Sequence, residues 1–70
     1  MDVRQVLRDF RGEVKSGLNF IRGGALHYEL DGGCMLEIYH PRNTDGSQSF
    51  GVFSYRVFDR SGRTISKGKV

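Results

Sequence analysis

The sequence predicts an α+β fold in which an N-terminal amphipathic helix packs on one face of a four- to five-stranded antiparallel meander. Three observations predict it. Apolar residues recur at helical spacing near the N-terminus, the spacing changes to strict alternation from residue 25 onward, and glycine-containing turns separate the alternating segments. With 70 residues, the chain is expected to form a single small domain, 1–70.

The helix is predicted from one apolar stripe. Its members are Val3, Val6, Leu7, Phe10 and Val14. Asp2 is a suitable N-cap, and Gln5, three residues later, completes a capping-box pattern. Gly17 is expected to end the helix, because glycine adopts the left-handed conformation of a C-cap without steric cost. The segment 18–22 fits either a continued helix or a short strand, and Gly23–Gly24 ends it in either case.

Two strands are predicted where apolar and polar residues alternate, over 26–30 and 34–39. The turn Asp31-Gly32-Gly33 joins them as a hairpin, since glycines provide positive backbone angles. Pro41 ends the second strand because proline has no N–H to donate to a sheet. We expect a polar loop over 41–49, with a turn at Asp45-Gly46 in its middle.

The segment from Phe50 to Arg60 is predicted to be a strand with apolar residues on both faces. Phe53, Tyr55 and Val57 share one face, and Phe50, Val52 and Phe58 share the other. A turn over 59–63 then leads to a last strand, from Thr64 to about Lys69. Its lysines suit an exposed sheet edge, where charge opposes aggregation.

A strand that is apolar on both faces needs two covers, and one helix supplies only one. Curling of the sheet or a bulge at Gly51 would cover the second face within the chain. Otherwise that face is an exposed apolar patch of the kind that marks a partner site.

The residue types that carry catalysis or bind metals are sparse and poorly spaced. His27, Asp31, Cys34 and His40 match no metal-ligand pattern, and Cys34 follows a glycine turn without a helix N-terminus that would lower its pKa. Glu29 could face Glu37 across the hairpin, but nothing marks the two as an acid-base pair. We therefore expect no catalytic residues, no metal site and no cofactor, and expect that the protein is not an enzyme.

A weak likeness to RNA-binding proteins lies in the segment 48–55. Phe50, Gly51 and Tyr55 match the RNP1 strand of RNA-recognition motifs, whereas Gln48, Ser49 and Val52 depart from it. The resemblance covers eight residues and assigns no family. It leaves open a single-stranded nucleic-acid-binding protein that stacks bases on Phe50, Tyr55 and Tyr39, with flanking arginines and lysines on phosphate.

Charge and hydropathy limit the partners and the cellular location expected for the protein. The net charge is +3 and the pI is about 9.4, which permits nucleic-acid contact without arguing strongly for it. A membrane span would need about 20 consecutive apolar residues, and no such run occurs. One cysteine and an N-terminus without the apolar core of a signal peptide predict a cytoplasmic protein that is not inserted in a membrane.

The favoured expectation is a small non-catalytic interaction module that binds a protein partner, or a second copy of itself, through an apolar-aromatic sheet face. Such a chain is compatible with an inhibitor or accessory factor of the phage or plasmid type. The residue types enriched at interfaces define the predicted site. Its residues are Met35, Tyr39, Phe50, Val52, Arg56, Phe58 and Arg60.

Overall fold

One helix and a four-stranded antiparallel sheet make up the described part of the protein. The computed structural model describes residues 2–17, 24–49 and 51–70. The elements are α1 (Val3–Ser16), β1 (Leu26–Glu29), β2 (Met35–Tyr39), β3 (Ser54–Phe58) and β4 (Thr64–Lys69). The strands neighbour one another in chain order, β1-β2-β3-β4, and every neighbouring pair is antiparallel. The predicted α+β meander is therefore confirmed, while the alternatives for 18–22 lie outside the described residues.

The residues predicted to cap the two ends of α1 are confirmed, but the predicted capping box is not formed. The Asp2 carboxylate accepts a hydrogen bond from the backbone N–H of Arg4 at 3.0 Å, and Gly17 takes the left-handed conformation at φ 75°, both as predicted. The prediction that the Gln5 side chain would bond back to the N–H of Asp2 is wrong. The Gln5 amide donates instead to the Asp9 carboxylate, 2.9 Å away and one turn further along the same face of the helix.

The core lies between α1 and one face of the sheet. Its buried members are Val6, Leu7 and Phe10 of the helix and Leu36, Ile38 and Val57 of the sheet. The ring of Phe53 meets that of Phe10 edge-to-face, with 5.0 Å between the centroids. The alternation predicted from the sequence thus places Leu36 and Ile38 under the apolar stripe of the helix.

The turns between the strands contain glycines with positive φ, and an aspartate also holds the turn after β3. Gly33 has a φ of 79°, which a residue with a side chain rarely adopts, in the turn between β1 and β2. Between β3 and β4, the Asp59 carboxylate accepts hydrogen bonds from the backbone N–H groups of Ser61 and Arg63, at 2.9 and 3.0 Å. The hydroxyl of Ser61 also donates to this carboxylate. These bonds favour the ionised form, so the pKa of Asp59 lies below its ordinary value.

The predicted strand over 50–60 is shorter in the structure. Strand β3 begins at Ser54, because hydrogen bonds within the preceding loop hold the chain away from the ladder. The N–H of Val52 donates to the carbonyl of Ser49, and the carbonyl of Val52 lies 3.1 Å from Nδ1 of His40. A carbonyl only accepts, so this ring nitrogen carries the proton. The irregularity in the pairing falls between Val57 and Phe58, not at Gly51.

The sheet is open and carries its helix on one face. No element among residues 2–17, 24–49 and 51–70 covers the opposite face. Curling into a partial barrel, one of the covers considered from the sequence, does not occur in the described part of the chain.

Candidate binding face of the sheet

The face of the sheet that points away from α1, here called the open face, is ordered by strand register into three rows. Residues directly opposite one another in antiparallel strands point to the same face, so each row crosses the sheet from β1 towards β4. The first row is Glu29, Met35, Phe58 and Thr64. The central row is His27, Glu37, Arg56 and Lys67. The third row is Tyr39, Ser54 and Lys69.

Glu37 lies at the centre of the open face between two partners. One oxygen of its carboxylate lies 2.8 Å from Nε2 of His27, and the other accepts a hydrogen bond from Nε of Arg56 at 2.5 Å. Partial burial raises the pKa of Glu37, but the hydrogen bonds from His27 and Arg56 outweigh that effect and the net pKa is lowered. The carboxylate is therefore ionised at neutral pH and is fixed from both sides.

The guanidinium of Arg56 lies over two aromatic rings. Its central carbon is 4.7 Å from the ring centroid of Tyr39 and 5.3 Å from that of Phe58. Both distances fall within the range of cation–π attraction. The rings and the arginine thus form one cluster, in which the charge stays accessible: 43 % of the Arg56 side chain is exposed.

Charge is distributed unevenly across the open face. The carboxylates of Glu29 and Glu37 lie on β1 and β2, whereas the cations of Arg56, Lys67 and Lys69 lie on β3 and β4. The face therefore runs from acidic to basic in the direction of strand order.

Two shallow depressions flank Tyr39. One, of about 320 Å³, lies towards the 41–49 loop and includes Arg42 and Gln48 in its lining. The other, of about 650 Å³, follows β4. Its lining residues are Tyr39, Arg56, Thr64, Ile65, Ser66 and Lys67. Neither is enclosed in the way that a small-molecule site usually is, so the surface fits a macromolecular contact better than a buried ligand.

The structure brings together four of the predicted site residues on the open face: Met35, Tyr39, Arg56 and Phe58. Arg60 lies in the turn after β3, where its side chain passes close over Gly33. Val52, 42 % exposed, precedes β3 and so is not part of the register that builds the face. The prediction for Phe50 lies outside the described residues.

Residues that sequence reasoning left out of the site are central to it. His27, Glu37 and Lys67 form one row with Arg56, and the signal that finds them is the hairpin register and not the residue type. Glu29 pairs with Met35, so the two glutamates do not face each other directly across the hairpin.

Of the residues considered for catalysis or metal binding, His40 and Cys34 lie away from the open face, whereas His27 lies in its central row. His40 is buried, with its ring centroid 4.5 Å from that of Phe53, and Cys34 packs against the core on the helix side. In the part of the chain that the structure describes, no three His, Cys, Asp or Glu side chains are grouped so that they could hold a metal ion.

Tyr55 and Tyr39, two of the aromatic residues named for base stacking, lie on opposite faces of the sheet. Tyr55 pairs with the buried Ile38 and packs against the core, whereas Tyr39 pairs with Ser54 on the open face. The register of β2 with β3 separates the two rings onto opposite sides of the sheet.

Comparison with known proteins returned no match to a family model, to a curated protein or to a solved structure. Among the described residues, no helix has the length and apolarity required to cross a membrane.

Proposed function

We propose that this protein is a small non-catalytic binding module that attaches to a protein partner through the open face. One observation carries the proposal. Met35, Tyr39, Arg56 and Phe58, which are residue types enriched at protein interfaces, lie together on a face that no described element covers.

The cluster around Arg56 supports binding because it is already ordered. Glu37, Tyr39 and Phe58 all contact or pair with the arginine, so little side-chain freedom remains to be lost on association. The exposed part of the guanidinium keeps donors for an acceptor on the partner. A fitting partner therefore presents a carboxylate or carbonyl oxygen beside apolar groups that cover Met35 and Phe58.

Nucleic acid fits this surface less well. The ionised carboxylate of Glu37 lies at the centre of the face, where it repels phosphate, and Tyr55 is not available on this side for stacking. Titration with a labelled single-stranded oligonucleotide at two salt concentrations separates the two functions. Salt-sensitive binding at low salt would favour the nucleic-acid function over ours, because neutralised phosphates release counterions.

The proposal is tested by retention of proteins from an extract of the source cells on the immobilised chain. Arg56→Glu reverses the charge at the centre of the open face, and Arg8→Glu makes the same change on the exposed side of α1, away from the sheet. We expect a specifically retained protein to be lost with Arg56→Glu and kept with Arg8→Glu, while circular dichroism shows both variants folded. Equal retention by both variants would refute the role of the open face.

A further inference from the structure

We propose that the partner of the open face is a second copy of this chain, packed face to face about a twofold axis parallel to the strands. This inference rests on the proposed binding role of the open face and adds the identity and geometry of the occupant. The arrangement of charged and apolar residues in the three rows selects both.

Two simple twofold axes can lie in the plane between the copies, and charge distinguishes them. An axis across the strands places every strand over its own copy, so that Glu37 faces Glu37, Arg56 faces Arg56 and Lys67 faces Lys67. Like charges placed opposite one another oppose association. An axis along the strands reverses the strand order instead, so that β2 of one copy lies over β3 of the other and Glu37 faces Arg56.

The central row then becomes an alternating square of four charges. Within each copy, Arg56 donates to Glu37, and between copies each of these groups faces its opposite. Arg56 retains donors beyond the one that bonds Glu37 within its own chain, because a guanidinium carries five N–H groups. On the outer strands Glu29 then faces Thr64 and His27 faces Lys67, so the charge pairing between the copies comes from Glu37 and Arg56.

The apolar residues select the same axis. Met35 and Phe58 pair in the first row, on the two middle strands. Rotation about an axis along the strands puts Met35 over Phe58 of the second copy and Phe58 over its Met35, which gathers four apolar side chains. Rotation about the other axis puts them over the third row, where Ser54 would face Phe58. Apolar contact and charge therefore agree on one arrangement.

The dimer is expected to be weak and sensitive to salt. Four strands about 4.8 Å apart, with three rows about 7 Å apart, give a face of roughly 300 Å² in projection. A contact of this size belongs to the small, transient class of interfaces. Aligned sheets pack within about 30° of each other, which leaves the rows approximately superposed.

Sedimentation velocity of the purified chain, from micromolar to about millimolar concentration, tests the association. We expect a dimer whose dissociation constant rises at least tenfold with Glu37→Arg or Arg56→Glu and is unchanged with Arg8→Glu. An equimolar mixture of Glu37→Arg with Arg56→Glu should dimerise, because one face then carries two positive charges at the centre and the other two negative charges. A monomer at every concentration would overturn the inference. A monomer would not refute the proposed binding function, because retention of a different protein from the extract tests that function separately.

Crosslinking tests the axis and does not depend on the charge-reversed variants. In a Cys34→Ser background, His27→Cys and Lys67→Cys place single thiols on the two outer strands of the central row. The proposed axis puts these two positions opposite each other, so a short bifunctional maleimide should link them in the mixture. Neither variant alone should crosslink, since its own copies lie three strand spacings apart, about 14 Å sideways. Efficient self-crosslinking of His27→Cys would overturn the proposed axis.

Discussion

The two faces of the sheet come from the same strands but are completed differently. On β2, Leu36 and Ile38 have no exposed surface, whereas Met35, Glu37 and Tyr39, which alternate with them, are partly exposed. The buried set contacts the apolar stripe of α1. Among the described residues no helix covers the other set, which is held by contacts between charged groups and aromatic rings.

The difference shows how aromatic side chains are held in place on a face that no element of the described residues covers. The guanidinium of Arg56 lies over the rings of Tyr39 and Phe58, and the Glu37 carboxylate accepts a hydrogen bond from the same arginine. Part of the apolar surface is thereby shielded within the chain, while charge remains at the surface. The helix-side face stabilises the fold, and we propose that the open face uses its remaining surface for binding.

The largest expected effect is a difference in stability between substitutions at two neighbouring residues of β2. Leu36→Ala removes a fully buried side chain from the core and should lower the free energy of unfolding by about 2–5 kcal/mol. Met35→Ala, on the open face, should cost less than about 1 kcal/mol. Urea denaturation followed by circular dichroism measures both values. Equal losses would mean that the two faces contribute alike to stability, and the contrast between them would fail.

A substitution on the exposed side of α1, away from both faces of the sheet, should alter stability without altering self-association. Gly12 lies within α1 on its exposed side, with no neighbouring atom within 4 Å of an added Cβ. Gly12→Ala should raise the free energy of unfolding by about 0.5–1 kcal/mol, because alanine loses less backbone entropy in a helix. Self-association should not change. An altered dissociation constant would show that α1 takes part in binding.

The smallest expected effect concerns the charge at the centre of the open face. Glu37→Gln should lower the free energy of unfolding at pH 7 by up to about 1 kcal/mol, as expected for a partly exposed charge pair. The pKa of Glu37 in the folded chain lies below its ordinary value of 4.5. Its stabilisation is therefore complete above pH 4.5 and is lost as the pH falls through the lowered pKa.

The difference between the wild type and Glu37→Gln should accordingly shrink as the pH falls below about 4.5. Urea denaturation of both proteins between pH 7 and pH 3 measures it. Asp45 and Asp59 also have a lowered pKa, but they are present in both proteins and cancel in the comparison. A difference that stays constant with pH would contradict the role given to the Glu37 charge.

Much of the fold could be predicted because it depends on local patterns. The spacing of Leu7 and Phe10 sets the buried side of the helix, and alternation around Leu36 and Ile38 sets the buried side of β2. Positive φ angles at the predicted turn glycines follow from the same local reasoning.

The errors arose where contacts between distant segments decide the outcome. Alternation alone extends β3 back to Phe50, but the contact of the Val52 carbonyl with His40, twelve residues earlier, together with a local bond from the Val52 N–H to Ser49, keeps this loop out of the ladder. The central row of the open face depends on the pairing of three strand pairs, which no single segment encodes. For this reason Arg56 was predicted for the site, while His27 and Glu37 were not.

The central claim is that one face of the sheet maintains the fold and the other binds, and Val57 and Phe58 test it most directly. They are adjacent on β3, Val57 in the core and Phe58 on the open face. The measurement is the circular dichroism spectrum and sedimentation velocity of Val57→Asp and Phe58→Asp, side by side. We predict that Val57→Asp unfolds, because it buries a charge, and that Phe58→Asp keeps the native spectrum but does not associate. An unfolded Phe58→Asp, or a folded one that associates like the wild type, would contradict the claim.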